Sequence, residues 1–146
     1  MTVEIRDARP DDFDAIVPLI RSFYELDRQP FDADLVESGL RPLLVGEAPG
    51  FVIVAEDDSE VLAYAVVTWG WSIEAGGQDA LLDEIYVADR SRGIGAEMMY
   101  QIIDRCREAG CRKMFLETES HNRAARIFYT RHGFDIDDSV WMSLDL

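Results

Sequence analysis

A single α/β domain is what this sequence predicts, and three observations carry the prediction. The 146 residues match the usual length of one domain. Short runs with an apolar period of two are interleaved with longer runs of helical period, in the order βααβββαβαβ. No internal repeat, linker or low-complexity segment divides the chain. A chain of this size buries about 68–70% of its unfolded surface, enough for a core without metals or disulfides.

Each element has its own signal. Thr2–Ala8 alternates through Val3 and Ile5 and reads as a strand. Pro10, Asp11 and Asp12 start a helix, with acids at the positive end of its dipole. Phe13, Ile16, Val17, Ile20 and Phe23 or Tyr24 then follow helical spacing. Phe31–Val45 supports a second helix through Leu35, Val36, Leu40, Leu43 and Leu44, weakened by Gly39 and Pro42. After the loop Gly46–Gly50, Phe51–Glu56 and Val61–Ile73 are strand-like and joined by the turn Asp57-Asp58-Ser59, a hairpin signal. Ala75-Gly76-Gly77 precedes another strand, Ala80–Val87. Gly93–Ala109 is a helix whose face carries Ile94, Met98, Met99, Ile102, Ile103 and Cys106, stopped by Gly110. Lys113–Glu117 reads as a strand, Asn122–Arg131 as a helix closed by Gly133, and Val140–Leu146 as a last alternating strand that could pair across a homodimer.

Composition narrows the function. Twenty-nine acids against 14 basic residues leave a net charge of −15. Such a surface repels phosphates and anionic lipids, so nucleic acid and membrane surfaces are not expected partners, whereas cationic molecules such as amines are. Thirteen of the basic residues are arginines and one is Lys113; high internal salt and a GC-rich genome both account for that bias. Cys106 and Cys111 are too few for a disulfide framework, and their spacing matches no zinc motif. No apolar run approaches 18 residues and no secretory leader is visible, so the cytoplasm is the expected location.

The informative stretch runs from Leu81 to Ala96, where a strand enters a short Arg/Gly-rich loop and then a helix. Unpartnered N–H groups gather at a helix start, and the dipole adds about half a positive charge there. Gly93 and Gly95 remove side chains so that a phosphate can approach those amides, and Arg90 and Arg92 add charge beside them. The P-loop pattern fails because no Lys-Ser or Lys-Thr pair is present. The dinucleotide fingerprint fails because Met98 fills its third small position and the motif does not follow a first strand. What remains is Gln/Arg-x-x-Gly-x-Gly/Ala, matched by Arg90, Gly93 and Gly95.

Two further features join this pattern: the preceding L-x-x-I-x-V run (Leu82, Ile85, Val87) and the block Asn122-x-x-Ala125-x-x-Phe128-Tyr129-x-x-x-Gly133-Phe134. Together the three resemble the GNAT superfamily of N-acetyltransferases, and the element order fits that family over nearly the whole chain. The resemblance implies a mixed, mostly antiparallel central sheet flanked by helices on both faces, with acetyl-CoA as co-substrate and no metal. It implies that main chain of Ile85, Tyr86 and Val87 takes the pantetheine arm as an added strand. Amides of Arg92, Gly93, Ile94, Gly95 and Ala96 would hold the pyrophosphate with help from Arg90, and Asn122 and Arg126 would contact the cofactor from the last helix. Charge is consistent: residues 90–131 hold nine basic and five acidic residues, net +4, while the rest of the chain is −19.

An alkylamine with a pKa near 10.4 must lose a proton before it can attack a thioester. Glu84 or Asp83 could take it directly or through water. Glu84 comes first because it shares strand parity with Leu82 and Tyr86, but a bulge would scramble that parity. Tyr129 is the expected general acid for the departing thiolate if the resemblance holds, and a core tyrosine otherwise. Cys106 and Cys111 read as core or near-core, so direct transfer in a ternary complex is preferred to a cysteine relay. His121 and His132 read as loop and cap residues. For the acceptor, Tyr24, Phe31, Trp71 and Glu74 combine aromatic rings and carboxylate where the family builds its pocket, which suits a small cationic amine of polyamine, amino-sugar or lysine type. A peptide or protein amine is the alternative acceptor, and a non-catalytic acyl-CoA-binding module on the same fold is the alternative function.

Overall fold

A computed structural model describes residues 2–146. Five strands form one sheet in the order β1 (Glu4–Asp7), β2 (Gly50–Asp57), β3 (Glu60–Ser72), β4 (Gly77–Val87), β5 (Met114–Phe115). Neighbours are antiparallel except β4 and β5, which run parallel across the connection made by α3 (Ile94–Glu108). Residues β2 and β3 place on one face (Val52, Val54, Tyr64, Val66) meet Ile16 and Ile20 of α1 (Phe13–Leu26) and Leu40 and Leu44 of α2 (Ala33–Leu44). The alternate residues Ala63, Ala65, Val67, Ala80 and Leu82 meet Ile94, Met98, Met99, Ile102 and Cys106 of α3. Phe128 and Tyr129 of α4 (Arg123–Arg131) pack against that second cluster. The alanines make room for the two long methionines, and each large side chain buried this way contributes about 1.5–3 kcal/mol.

Gly39 and Pro42 do not stop α2. Its start is capped by the Asp32 carboxylate, which accepts from the N–H groups of Asp34 and Leu35. Its end is anchored by Leu40 and Leu44 in the core, and the carbonyl of Pro42 accepts from Glu47 and Ala48. The β3–β4 hairpin is longer than its apolar pattern indicates and starts β4 at Gly77, whose φ of 145° suits glycine alone.

Two expectations fail at the C-terminal side of the sheet. β5 pairs only at Ala80–Met114 and Leu81–Phe115, two residues rather than the five of Lys113–Glu117. The expected last strand Val140–Leu146 does not form: Val140, Trp141, Met142, Leu144 and Leu146 are all exposed, at 74% or more. An alternating run becomes a strand only beside a ladder that can pair with it, and a two-residue β5 offers almost none.

Candidate active site

The decisive feature is one extra residue. β3 and β4 pair in register from Ala63–Val87 to Val66–Glu84, then resume at Val67–Leu82, so Asp83 is a β-bulge. Strand parity therefore breaks at Asp83. Leu82 packs on the α3 side, as do Ile85 and Val87, while Tyr86 packs on the α1/α2 side. Glu84 stands with Tyr86 and not with Leu82, which corrects the parity expected from simple alternation.

On that face Glu84 is half-buried and held twice. Its carboxylate accepts from the hydroxyl of Tyr24 at 2.6 Å and from that of Tyr64 at 2.7 Å. Tyr24 comes from α1, and Tyr64 is fully buried in the middle of β3. Burial pushes the Glu84 pKa up, opposed by both tyrosine hydrogen bonds and reinforced by the charges of Asp83 and Asp27. Asp83, more exposed, is also raised by desolvation. Both tyrosine hydroxyls are held well above their ordinary value, by burial first and by Glu84 next, so both remain donors.

Asp83 and Glu84 help to line a cavity of about 250 Å³ between β4 and the first two helices. Tyr24 lines it, but Phe31, Trp71 and Glu74 do not. Phe31 sits one step away, edge-on to Tyr24 at 6.1 Å and covered by the Arg21 guanidinium. Alternation along β3 puts Trp71 on the α3 side with Trp69, opposite to Glu84, and Glu74 lies in the exposed hairpin turn.

Past Leu81 no β5 residue accompanies β4, so the chain from Leu82 to Val87 has one ladder edge without a strand among the described residues. Side chains of Ile85, Tyr86 and Val87 pack into the two cores, which leaves main chain at that edge. The edge leads into the turn Arg90–Arg92, where the Asp89 carboxylate accepts from the N–H and hydroxyl of Ser91. Arg92 is anchored by the buried Asp57 carboxylate at 2.8 Å, and Arg90 is exposed. Gly93 has a φ of 71°, the left-handed region, and a Cβ there would meet nothing within 4 Å. A Cβ on Gly95 would lie about 3.5 Å from Phe128 and Val87. Within α3 the first main-chain bond comes from Glu97 to Gly93, so the amides of Gly95 and Ala96 lack intrahelical partners, while the Ile94 side chain is buried. A bare helix start at the end of an open strand edge fits an extended ligand with phosphate groups.

Other site candidates have protein partners. Asn122 caps α4 by accepting from the Ala125 N–H and donates to Asp27 at 3.3 Å. Arg126 donates to the carbonyls of Glu119 and Ser120 and braces the loop before α4. With the Gln29–Glu119 bond, these contacts tie the end of α1 to the start of α4. Tyr129 is half-buried between Phe128 and Phe134, against the cluster on the α3 side of the sheet. Its pKa is pushed up to about 12, by burial first and by the Asp27 charge next, so it keeps its proton at neutral pH. Burial pushes the Cys106 thiol up to about 11, which makes it a poor nucleophile. Among the described residues no cluster of three His, Cys, Asp or Glu side chains is placed to hold a metal ion. Nor, among the described residues, is any helix long and apolar enough to cross a membrane.

Sequence patterns do not single out Tyr64, and they mark Gly39, which lines the cavity, only as a weak point in a helix. A buried tyrosine in an alanine- and valine-rich strand does signal a hydroxyl in need of a partner, but only the register names Glu84.

This arrangement of a bulged central strand, a splayed neighbour and a bare helix start is accompanied by family-level similarity. A model of the Acetyltransferase (GNAT) family matches residues 13–134, and the chain belongs to that family. An uncharacterized N-acetyltransferase YhfO of Bacillus subtilis is 27% identical over 137 residues, covering 92% of this chain and 91% of its own. The thialysine N-epsilon-acetyltransferase of Mus musculus is 27% identical over 155 residues, 97% of this chain and 91% of its own. Among solved structures, a possible acetyltransferase from Clostridium difficile superposes with a TM-score of 0.84 at 25% identity, covering 100% of this chain and 99% of its own.

Proposed function

We propose that this protein transfers the acetyl group of acetyl-CoA directly to a primary amine in a ternary complex, with Glu84 as base and Tyr129 as acid. The observation that carries the reading is the Asp83 bulge. It turns Glu84 into the acceptor cavity while the same stretch of β4 leaves its main-chain edge open on the way to the α3 start. When bound there, acetyl-CoA supplies an acetyl group activated as a thioester. Main chain of Ile85, Tyr86 and Val87 would hold its arm, and the amides from Arg92 to Ala96 its phosphates.

Glu84 takes one proton from the ammonium, directly or through water, and passes it to solvent. Its raised pKa makes it a better match for that proton than an exposed glutamate. The neutral nitrogen then bonds to the carbonyl carbon and releases a second proton. As the carbon–sulfur bond breaks, Tyr129 gives its proton to the departing sulfur and is reprotonated by the second one. A strand amide near Ile85 would polarise the carbonyl oxygen.

Thiol release from acetyl-CoA over a panel of amines tests the activity, and a panel with no release overturns it. Tyr129→Phe is expected to lower kcat by roughly 10²-fold or more at unchanged acetyl-CoA affinity, the usual scale for a general acid. An unchanged kcat would leave Tyr129 a packing residue.

A further inference from the structure

Nothing in the general chemistry says what body the amine should have. The walls of the 250 Å³ cavity do. Besides Asp83 and Glu84 it is lined mostly by apolar groups, among them Ile20, Leu35, Leu40, Leu43 and Val66. No basic side chain lines it, so a substrate carboxylate would find no counter-charge. The one other acid, Asp32, is exposed and already accepts from the α2 N-terminal amides, so a second ammonium would find no buried partner either. Aliphatic walls, with Asp83 and Glu84 as the acids not already engaged at a helix start, favour one ammonium on an apolar body.

Gly39 adds an independent observation. Glycine inside a helix costs roughly 0.5–1 kcal/mol relative to alanine. It is tolerated without comment where a neighbour crowds the position, but here a Cβ would meet nothing within 4 Å. The position lines the cavity. What the missing side chain preserves is the open space itself, and Leu35 stands 71% exposed beside it.

Resting on the acceptor reading above, we propose that the acceptor is an apolar primary monoamine of alkyl or aralkyl type, carrying no carboxylate and no second charge, and that Gly39 keeps its pocket open. Polyamines, amino sugars and amino acids would then be poor acceptors.

The experiment compares phenethylamine and isoamylamine with putrescine, spermidine, glucosamine and lysine, by thiol release from acetyl-CoA. The expected result is a kcat/KM at least roughly tenfold higher for the two apolar amines. Preference for any of the other four overturns the proposal while leaving acetyl transfer intact. Gly39→Leu should raise KM for phenethylamine at least roughly tenfold, with Gly39→Ala intermediate and both variants melting no lower than the parent. An unchanged KM in both variants overturns the role of Gly39. Binding is measured separately, as the thermal shift produced by phenethylamine without acetyl-CoA. If no amine is acetylated, the transfer reading fails, and a phenethylamine shift that Gly39→Leu removes still upholds the apolar pocket. Absence of any shift overturns it.

Discussion

Glu84 is an ionisable group whose surroundings pull its pKa in both directions, and this makes its chemistry measurable. Burial raises it, while the hydroxyls of Tyr24 and Tyr64 lower it by donating to the charged form. Tyr64→Phe removes one donor and keeps the ring that fills the core. The Glu84 pKa then moves further up, so the acid limb of kcat/KM against pH is expected to shift to higher pH while acetyl-CoA affinity stays the same. A limb that does not move would show Tyr64 to be packing alone. Stability carries a second signature. A carboxylate with a folded pKa above its ordinary 4.5 binds its proton more tightly folded than unfolded. Its contribution is full below pH 4.5 and is lost as pH rises through the folded value, the reverse of the usual salt-bridged acid. The melting temperature of the parent minus that of Glu84→Gln should therefore fall between acid and neutral pH, read by calorimetry across a pH series.

At the scale of elements, the cleft is made by what β4 does after Leu81. Its bulge at Asp83 and its parting from β5 open one edge, and α3 begins where that edge ends. The glycines at this start have different reasons. Gly93 adopts a φ of 71° with space around it, whereas Gly95 lies against Phe128 and Val87. Gly95→Asp places a carboxylate at a helix N-terminus, which suits the fold electrostatically, but also beside any phosphate held there. Two unit charges about 5 Å apart at an effective dielectric of 20 repel by about 3 kcal/mol. Acetyl-CoA affinity is expected to fall by roughly 10²-fold with the melting temperature retained, as titration calorimetry and melting on one sample would show. Retained affinity would remove this helix start from the cofactor reading. The motif around Arg90, Gly93 and Gly95 is visible in sequence because it is local, whereas the parting of the strands is not.

For the whole molecule, the net charge of −15 is unevenly divided: residues 1–60 hold 15 acids and five arginines. The cavity lined by Glu84 lies against α1 and α2, within that acidic part. On the acceptor reading proposed above, a cationic amine would be drawn towards this cavity by a field that salt screens over about 10 Å at 0.1 M. The KM for a charged amine is expected to rise between 0.05 and 0.5 M salt at constant pH, roughly severalfold for a field of a few kT. A flat profile would reduce the acidity to a solvated surface.

Helical period, the Gly110 and Gly133 stops and the Asp57-Asp58-Ser59 turn depend on neighbours within a few residues, so the α/β order and the helix-start motif were legible in the sequence alone. The acid pair 83–84 was legible as a candidate, but not which acid faces which side. One bulged residue reverses the parity of everything before it, and a bulge is a property of two strands in register. The same holds for the strand that did not form: Val140–Leu146 alternates correctly yet lacks a ladder, and only pairing decides that. Tyr64 reaches Glu84 across 20 positions of sequence and Tyr24 across 60, distances at which no local pattern operates. Tertiary structure alone also decides the cavity beside Glu84, because its walls come from α1, α2, β3 and β4, and the polarity of a cavity belongs to the surfaces that enclose it.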